Sequence, residues 1–142
     1  MSYLDTKKAL TTKLFATSIT GITSADIAED NSNFDPDGKA KYIGAYFMPT
    51  IAESTGKTTA SGDEQRGMFQ ISVFVKLNGG NYDNDQLQII DDLRLSFVYG
   101  STVAYNGQRV DILETQVNEG RPSGAWFQRD ITIDYLTFSE RT

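Results

Sequence analysis

Residues 67–100 read GMFQISVFVKLNGGNYDNDQLQIIDDLRLSFVYG, from Gly67 to Gly100. The first half is a strand. Phe69, Ile71, Val73, Val75 and Leu77 are apolar at every second position, the period that lines one face of a sheet. Gln70, Ser72 and Lys76 fall on the other face, where Met68 and Phe74 interrupt the polarity. Burying the five apolar side chains is worth roughly 7–15 kcal/mol before chain entropy is counted, an upper bound. Asn78, Gly79 and Gly80 end the strand. Asp83, Asn84 and Asp85 are candidate caps for a helix, since each side chain can accept a bond from a free N–H of the first turn. Leu87, Ile90, Leu93, Arg94 and Phe97 then recur at spacings of three and four, with Ile89 beside them, and Gly100 is placed to close the helix. A one-faced strand feeding a one-faced helix requires a sheet with helices on one side. The expected fold class is α+β: a single domain over residues 1–142, a mostly antiparallel β-sheet, and two α-helices packed on one face.

The remaining segments complete that sheet. Upstream, Asp5 or Thr6 can cap a first helix reaching about Thr17, with Leu10 and Leu14 inward and Lys7 and Lys8 facing water. Residues 22–30 read as a short strand or extended arm with Ile22 and Ile27 inward, and residues 31–39 as a loop rich in Asn, Asp, Pro and Gly. Tyr42 to Met48 forms a strand apolar on both faces, expected to stop at Pro49. Thr50 to Arg66 is polar and reads as a long loop, mobile in the monomer and ordered against a neighbour. Downstream, residues 102–117 read as a hairpin turning at Asn106-Gly107, a pair that tolerates the positive φ of a type I′ turn. Residues 118–124 read as a second loop. The last strand, Trp126 to Phe138, places Phe127, Ile131, Ile133 and Tyr135 on one face and Gln128, Asp130, Thr132 and Asp134 on the other. Its phase change at Leu136 and Phe138 suggests a bulge.

Composition narrows the chemistry. The chain has 142 residues, no Cys and no His, so neither a Ser-His-Asp triad nor a Cys/His zinc site can be built. The absence of Cys also suits a reducing compartment. No run of apolar residues reaches membrane-spanning length, and the polar stretch Met1–Lys8 lacks a secretory core. The net charge of −6 repels phosphate backbones and disfavours sequence-independent DNA binding.

Three motifs reduce to ordinary structure. Gly56-Lys57-Thr58 resembles the end of a phosphate loop, but Ile51 stands where the first glycine belongs and no helix follows directly. Residues 33–38 alternate oxygen side chains like a calcium loop, yet Gly44 occupies the place of the bidentate Glu. Asp91 and Asp92 are neighbours on a helix and point about 100° apart, so they read as solvated rather than as an acid/base pair. No catalytic, cofactor or metal residue is assigned.

The order of elements, with particular residues in place, resembles the tail terminator (tail completion) proteins of long-tailed bacteriophages. The matching points are Arg66-Gly67 opening the strand Gln70-Ile71-Ser72-Val73, Gly79-Gly80, and Ile90, Leu93, Phe97 and Gly100. Arg109-Val110-Asp111-Ile112, Pro122 followed by Trp126, and Tyr42 to Pro49 continue the match. The resemblance implies a non-enzymatic ring, typically a homohexamer, on the head-proximal end of the tail tube. It implies that the ring stops tube polymerisation, offers the head-joining surface and lets DNA pass through its centre without specific binding. Implied partners are further copies of the chain, the tail tube protein and a neck or head-completion protein, in the virion and, during assembly, the host cytoplasm. Alternatives are a neck or head-completion protein itself, or a small non-viral ligand-binding domain. Subunits are expected to meet through the sheet and the loops around Glu53, Arg66 and Arg121. The candidate subunit or tube interface comprises Tyr46, Met48, Glu53, Lys57, Glu64, Arg66, Arg121 and Trp126.

Overall fold

The computed structural model describes residues 3–29, 34–54, 62–77 and 82–140. Helix α1 (Tyr3–Ala16) leads through a 3-10 turn (Ser24–Asp26) to β1 (Ile27–Glu29) and β2 (Lys41–Ser54). Strand β3 (Gly62–Lys76), helix α2 (Tyr82–Ser96), β4 (Thr102–Tyr105), β5 (Gln108–Val117), β6 (Arg121–Ser123) and β7 (Trp126–Glu140) follow. The strands form one seven-stranded sheet in the order β1-β2-β3-β7-β5-β4, with β6 also paired to β7. β1 and β2 run parallel, and the other described pairings are antiparallel.

The alternation of β3 decides which side of the sheet the helices take. Phe69, Ile71, Val73 and Val75 are buried, and their register partners Phe47, Ala45 and Ile43 on β2 and Ile133 and Ile131 on β7 point the same way. Leu10 and Leu14 of α1, and Ile89, Ile90 and Leu93 of α2 with Phe97 beyond it, pack onto that face in one cluster with Val103, Val110, Ile112 and Tyr135. Both helices therefore lie on one face, and Ile22 and Ile27 close the edge of the cluster.

Several sequence expectations are corrected. β2 does not stop at Pro49 but continues to Ser54, with a register shift between Pro49 and Ile51. β1 pairs only with residues 43–45, so at Pro49 the strand has no second described neighbour that needs its N–H. Most of residues 50–66 is therefore paired strand rather than loop, and residues 55–61 lie outside the described residues. α2 begins at Tyr82, which puts Asp83, Asn84 and Asp85 inside its first turn rather than at the cap. There the Asp85 carboxylate still complements the positive end of the helix dipole. α2 ends at Ser96, and Gly100 (φ +84°) serves the turn into β4, its N–H bonding Ile112 O at 3.0 Å. Leu87 and Leu77 are partly exposed, while Gln86 takes the buried position on the helix. β7 keeps one register with β3 along its whole length. The irregularity lies on β5, between Ile112 and Thr115. Residues 121–123 form β6 instead of loop. The Asn106-Gly107 turn has positive φ at both residues (52° and 80°), as expected of type I′.

Candidate interface on the helix-free face of the sheet

The even-numbered positions of β2, β3 and β7 share the face that the helices leave uncovered. Across it, Tyr42, Gly44, Tyr46 and Met48 stand opposite Phe74, Ser72, Gln70 and Met68. These in turn stand opposite Gln128, Asp130, Thr132 and Asp134, while Leu136 faces Arg66 and Phe138 faces Glu64. The apolar side chains of β2 that the one-sided helix layer cannot reach are displayed here. Met48, Met68 and Leu136 are half-buried and Phe138 is exposed. These apolar groups on a helix-free face make it the candidate interface.

An aromatic cluster stands at one end. Tyr42 stacks on Phe74 with centroids 4.5 Å apart, meets the edge of Trp126 at 4.9 Å and lies 5.1 Å from Phe34. Burial raises the Tyr42 hydroxyl above its ordinary pKa, and nearby Tyr46 adds to the shift. Lys39 Nζ lies 5.8 Å from the Phe34 ring centroid and donates to Asp26 Oδ1 at 2.7 Å. That bond, with the N–H of Thr23, holds the Asp26 carboxyl below its usual range. Trp126 thus packs within the cluster while remaining half-exposed.

The middle of the face is polar and closed. Asp130 and Ser72 are buried. Gln128 Nε2 donates to Asp130 Oδ1 at 2.8 Å and to Ser72 Oγ at 3.4 Å, and Gln70 Nε2 reaches the same hydroxyl at 3.2 Å. Arg121 Nη2 stands 3.1 Å from Asp130 Oδ2. Burial pushes the Asp130 pKa up, but bonds from Ser72, Gln128 and Arg121 outweigh it, so the carboxyl titrates below its ordinary value. Beside this cluster Tyr46 lies along the sheet over Gly44. A Cβ at residue 44 would come within 2.7 Å of the Tyr46 hydroxyl, which explains a glycine in the middle of a strand.

At the other end two ion pairs sit between residues two apart on one strand: Arg66–Glu64 at 2.6 Å and Arg109–Asp111 at 3.2 Å. Asp111 faces Leu136 from β5, so both pairs flank the apolar groups of β7.

Six of the sequence candidates therefore share this face: Tyr46, Met48, Glu64, Arg66, Arg121 and Trp126. Glu53 stands opposite Glu64 in the β2–β3 register, and Lys57 lies outside the described residues. Sequence reasoning missed the Asp130–Ser72–Gln128 cluster. Its signal is a polar phase shared by two strands, Gln70 and Ser72 on one and Gln128 and Asp130 on the other. It also treated Asp92 as solvated, whereas Asp92 Oδ2 accepts the Thr20 N–H at 2.9 Å and is held below its usual pKa mainly by that bond. Asp91 is exposed, so the two do not act together.

The other motifs offer no reactive centre. Asp37 N–H bonds Asp35 Oδ1 at 3.0 Å, an ordinary Asx turn, while Asn33 and the Gly56-Lys57-Thr58 stretch lie outside the described residues. Among the described residues no group of acidic side chains is arranged to hold a metal ion, and no helix is long and apolar enough to cross a membrane.

A solved structure superimposes on the chain with a TM-score of 0.72, covering 96% of each, at 19% sequence identity, a likeness of fold. No curated protein matches the sequence. The family described as phage tail terminator protein matches residues 6–135, nearly the whole chain. Proteins of that family are structural and non-enzymatic components of the phage tail. The chain belongs to the phage tail terminator family.

Proposed function

We propose that this protein forms a ring, of six copies, at the head-proximal end of a phage tail tube, where it ends tube polymerisation and provides the surface to which the head is joined. The observation that carries this reading beyond family membership is the helix-free face. It is a broad, half-buried sheet surface bearing Trp126 at one end and Met48, Leu136 and Phe138 toward the other, with Tyr46 and the Arg121–Asp130 pair between them and the Glu64–Arg66 pair beside Leu136 and Phe138. Apolar groups interspersed with fixed ion pairs suit contact with the tube and with adjoining copies, the charges setting register. Glu53, opposite Glu64 in the register, extends the same contact along the β2–β3 arms. A head-to-tail contact repeated about an axis closes into a ring. The net charge of −6 fits a channel through which DNA slides without adhering, with the negative excess turned toward that channel.

The test is a reconstruction of the head-proximal end of the tail. A single closed ring on the tube, with the helix-free face in contact, is the expected result. One off-axis copy, a position in the neck away from the tube, or a channel wall dominated by Lys and Arg would each overturn the corresponding part.

A further inference from the structure

The two helices also turn exposed stripes away from the core. On α1, Leu4, Lys8, Thr12 and Phe15 lie at helical spacing on the outward side, and Leu4 is 58% exposed. On α2, Leu87, Asp91 and Leu95 do the same, followed by Val98 and Tyr99 just past its end. Leu95 and Tyr99 are 79% and 72% exposed. Gln88, Asp91, Arg94, Leu95, Val98 and Tyr99, with Thr115 of β5, line an open groove of about 610 Å³.

The stripes match in charge and spacing. α1 carries Lys7, Lys8 and Lys13 against Asp5, while α2 carries Asp83, Asp85, Asp91 and Asp92 against Arg94. In each stripe an apolar residue precedes the central charge by four positions: Leu4 before Lys8, and Leu87 before Asp91. Four residues of helix span about 6 Å, so the two stripes coincide when the helices run parallel. Thr12 then falls against Leu95, and Phe15 reaches Val98 and Tyr99.

We propose that α1 of one copy docks into the α2 groove of the next copy, with Lys8 facing Asp91 and Leu4 and Phe15 covering the exposed apolar groups. The two patches differ, so the contact is head-to-tail and can repeat from copy to copy. The proposal rests on the ring reading, to which it adds a second contact on the helix side of the molecule.

The chain has no cysteine, so an engineered pair reports unambiguously. The full-length Leu4→Cys and Leu87→Cys variants, both at exposed positions, are mixed and oxidised. A mixed disulfide dimer forming in clear excess over the homodimers of either variant is the expected result. Lys8→Glu in the first variant lowers that yield several-fold, and Asp91→Lys in the second restores it. A mixed dimer no more abundant than the homodimers, or a charge swap that fails to restore it, overturns the docking. The chain carrying both cysteines tests closure. A ladder extending beyond dimers supports the head-to-tail repeat. A product that stops at a reciprocal dimer keeps the helix contact and removes the ring. A six-copy ring in tails whose neighbouring α1 and α2 stand apart keeps the ring and overturns the docking.

Discussion

The side-chain amide of Gln86 donates to the main-chain carbonyl of Val73 at 2.9 Å, from the buried side of α2 into the middle of β3. The same nitrogen donates to the Phe127 carbonyl at 3.0 Å, and Gln86 Oε1 accepts from Arg129 Nε at 3.4 Å. One side chain thus ties α2 to both central strands. A buried amide is tolerated because its hydrogen-bonding groups are engaged.

Gln86→Leu should keep the volume and remove those bonds, taking a donor from the Val73 and Phe127 carbonyls beneath the helix. The expected loss is about 1–3 kcal/mol. Urea unfolding should show a lower midpoint at unchanged slope. An unaltered midpoint would mean that the apolar contacts of Ile89, Ile90 and Leu93 alone hold the helix.

Gly67 and Tyr135 make a second close pair. A Cβ on Gly67 would lie 2.5 Å from the Tyr135 hydroxyl and 2.7 Å from the Met48 carbonyl. Gly67→Ala should therefore destabilise the protein by about 1–3 kcal/mol, the range for overpacking a tight site. The Tyr135 hydroxyl is buried with no hydrogen-bond partner among the described residues, and burial pushes its pKa upward. Tyr135→Phe should then be neutral or stabilising, and should rescue part of Gly67→Ala. The Met48 carbonyl still opposes the new methyl, so the rescue is incomplete. A double-mutant cycle in thermal unfolding checks both. Strict additivity would remove the proposed contact.

These two pairs mark where the sequence stopped being informative. The alternation at Phe69, Ile71, Val73 and Val75 was legible because burial on one face of a strand imposes a period of two. Leu10, Leu14, Ile90 and Phe97 were legible for the corresponding reason on helices. Leu87 was misplaced because it fits the same spacing of three and four as the buried residues. Only the docking angle of α2 decides that Gln86, not Leu87, faces the sheet. Residues 50–54 and 62–66 read as loop because their strands lack apolar alternation, being held by main-chain pairing that side chains do not encode. The candidate face was legible in part. The two-sided apolar strand at Tyr42–Met48 signalled an uncovered surface, but the convergence of Glu64, Arg66, Arg121 and Trp126 on it depends on the strand order β2-β3-β7, which no local pattern contains.

Acid should weaken the protein through Asp130. Its folded pKa lies below the ordinary aspartate value of 3.8, because the bonds from Ser72, Gln128 and Arg121 favour the carboxylate more than burial disfavours it. The resulting stabilisation is fully present above the unfolded pKa and is lost as pH falls through the folded one. Asp26 and Asp92 are shifted in the same direction, so the wild-type curve alone does not isolate Asp130. Asp130→Asn should reduce stability at neutral pH, and its deficit should shrink as pH drops below about 4. Denaturant midpoints measured across that range for both proteins check the sign. A deficit that stays constant with pH would exclude the ionised carboxylate as its source.

The last prediction separates fold from assembly. Val73 is fully buried on the helix side, and Val73→Asp should unfold the domain, since an unpaired buried carboxylate costs several kcal/mol. Met48 lies on β2 only a few residues from the register partner of Val73, but on the helix-free face, half-buried and opposite Met68. Met48→Glu should leave the core untouched and change stability by about 1 kcal/mol or less, as surface substitutions do. The same charge placed on the contact surface should abolish capping of tail tubes, because it must be desolvated against an apolar neighbour. Leu136→Glu, two strands across the face on β7, should behave alike. Circular dichroism melts and electron microscopy of tubes mixed with each variant provide the two readouts. Tubes that remain capped by folded Met48→Glu and Leu136→Glu proteins would move the tube contact off this face.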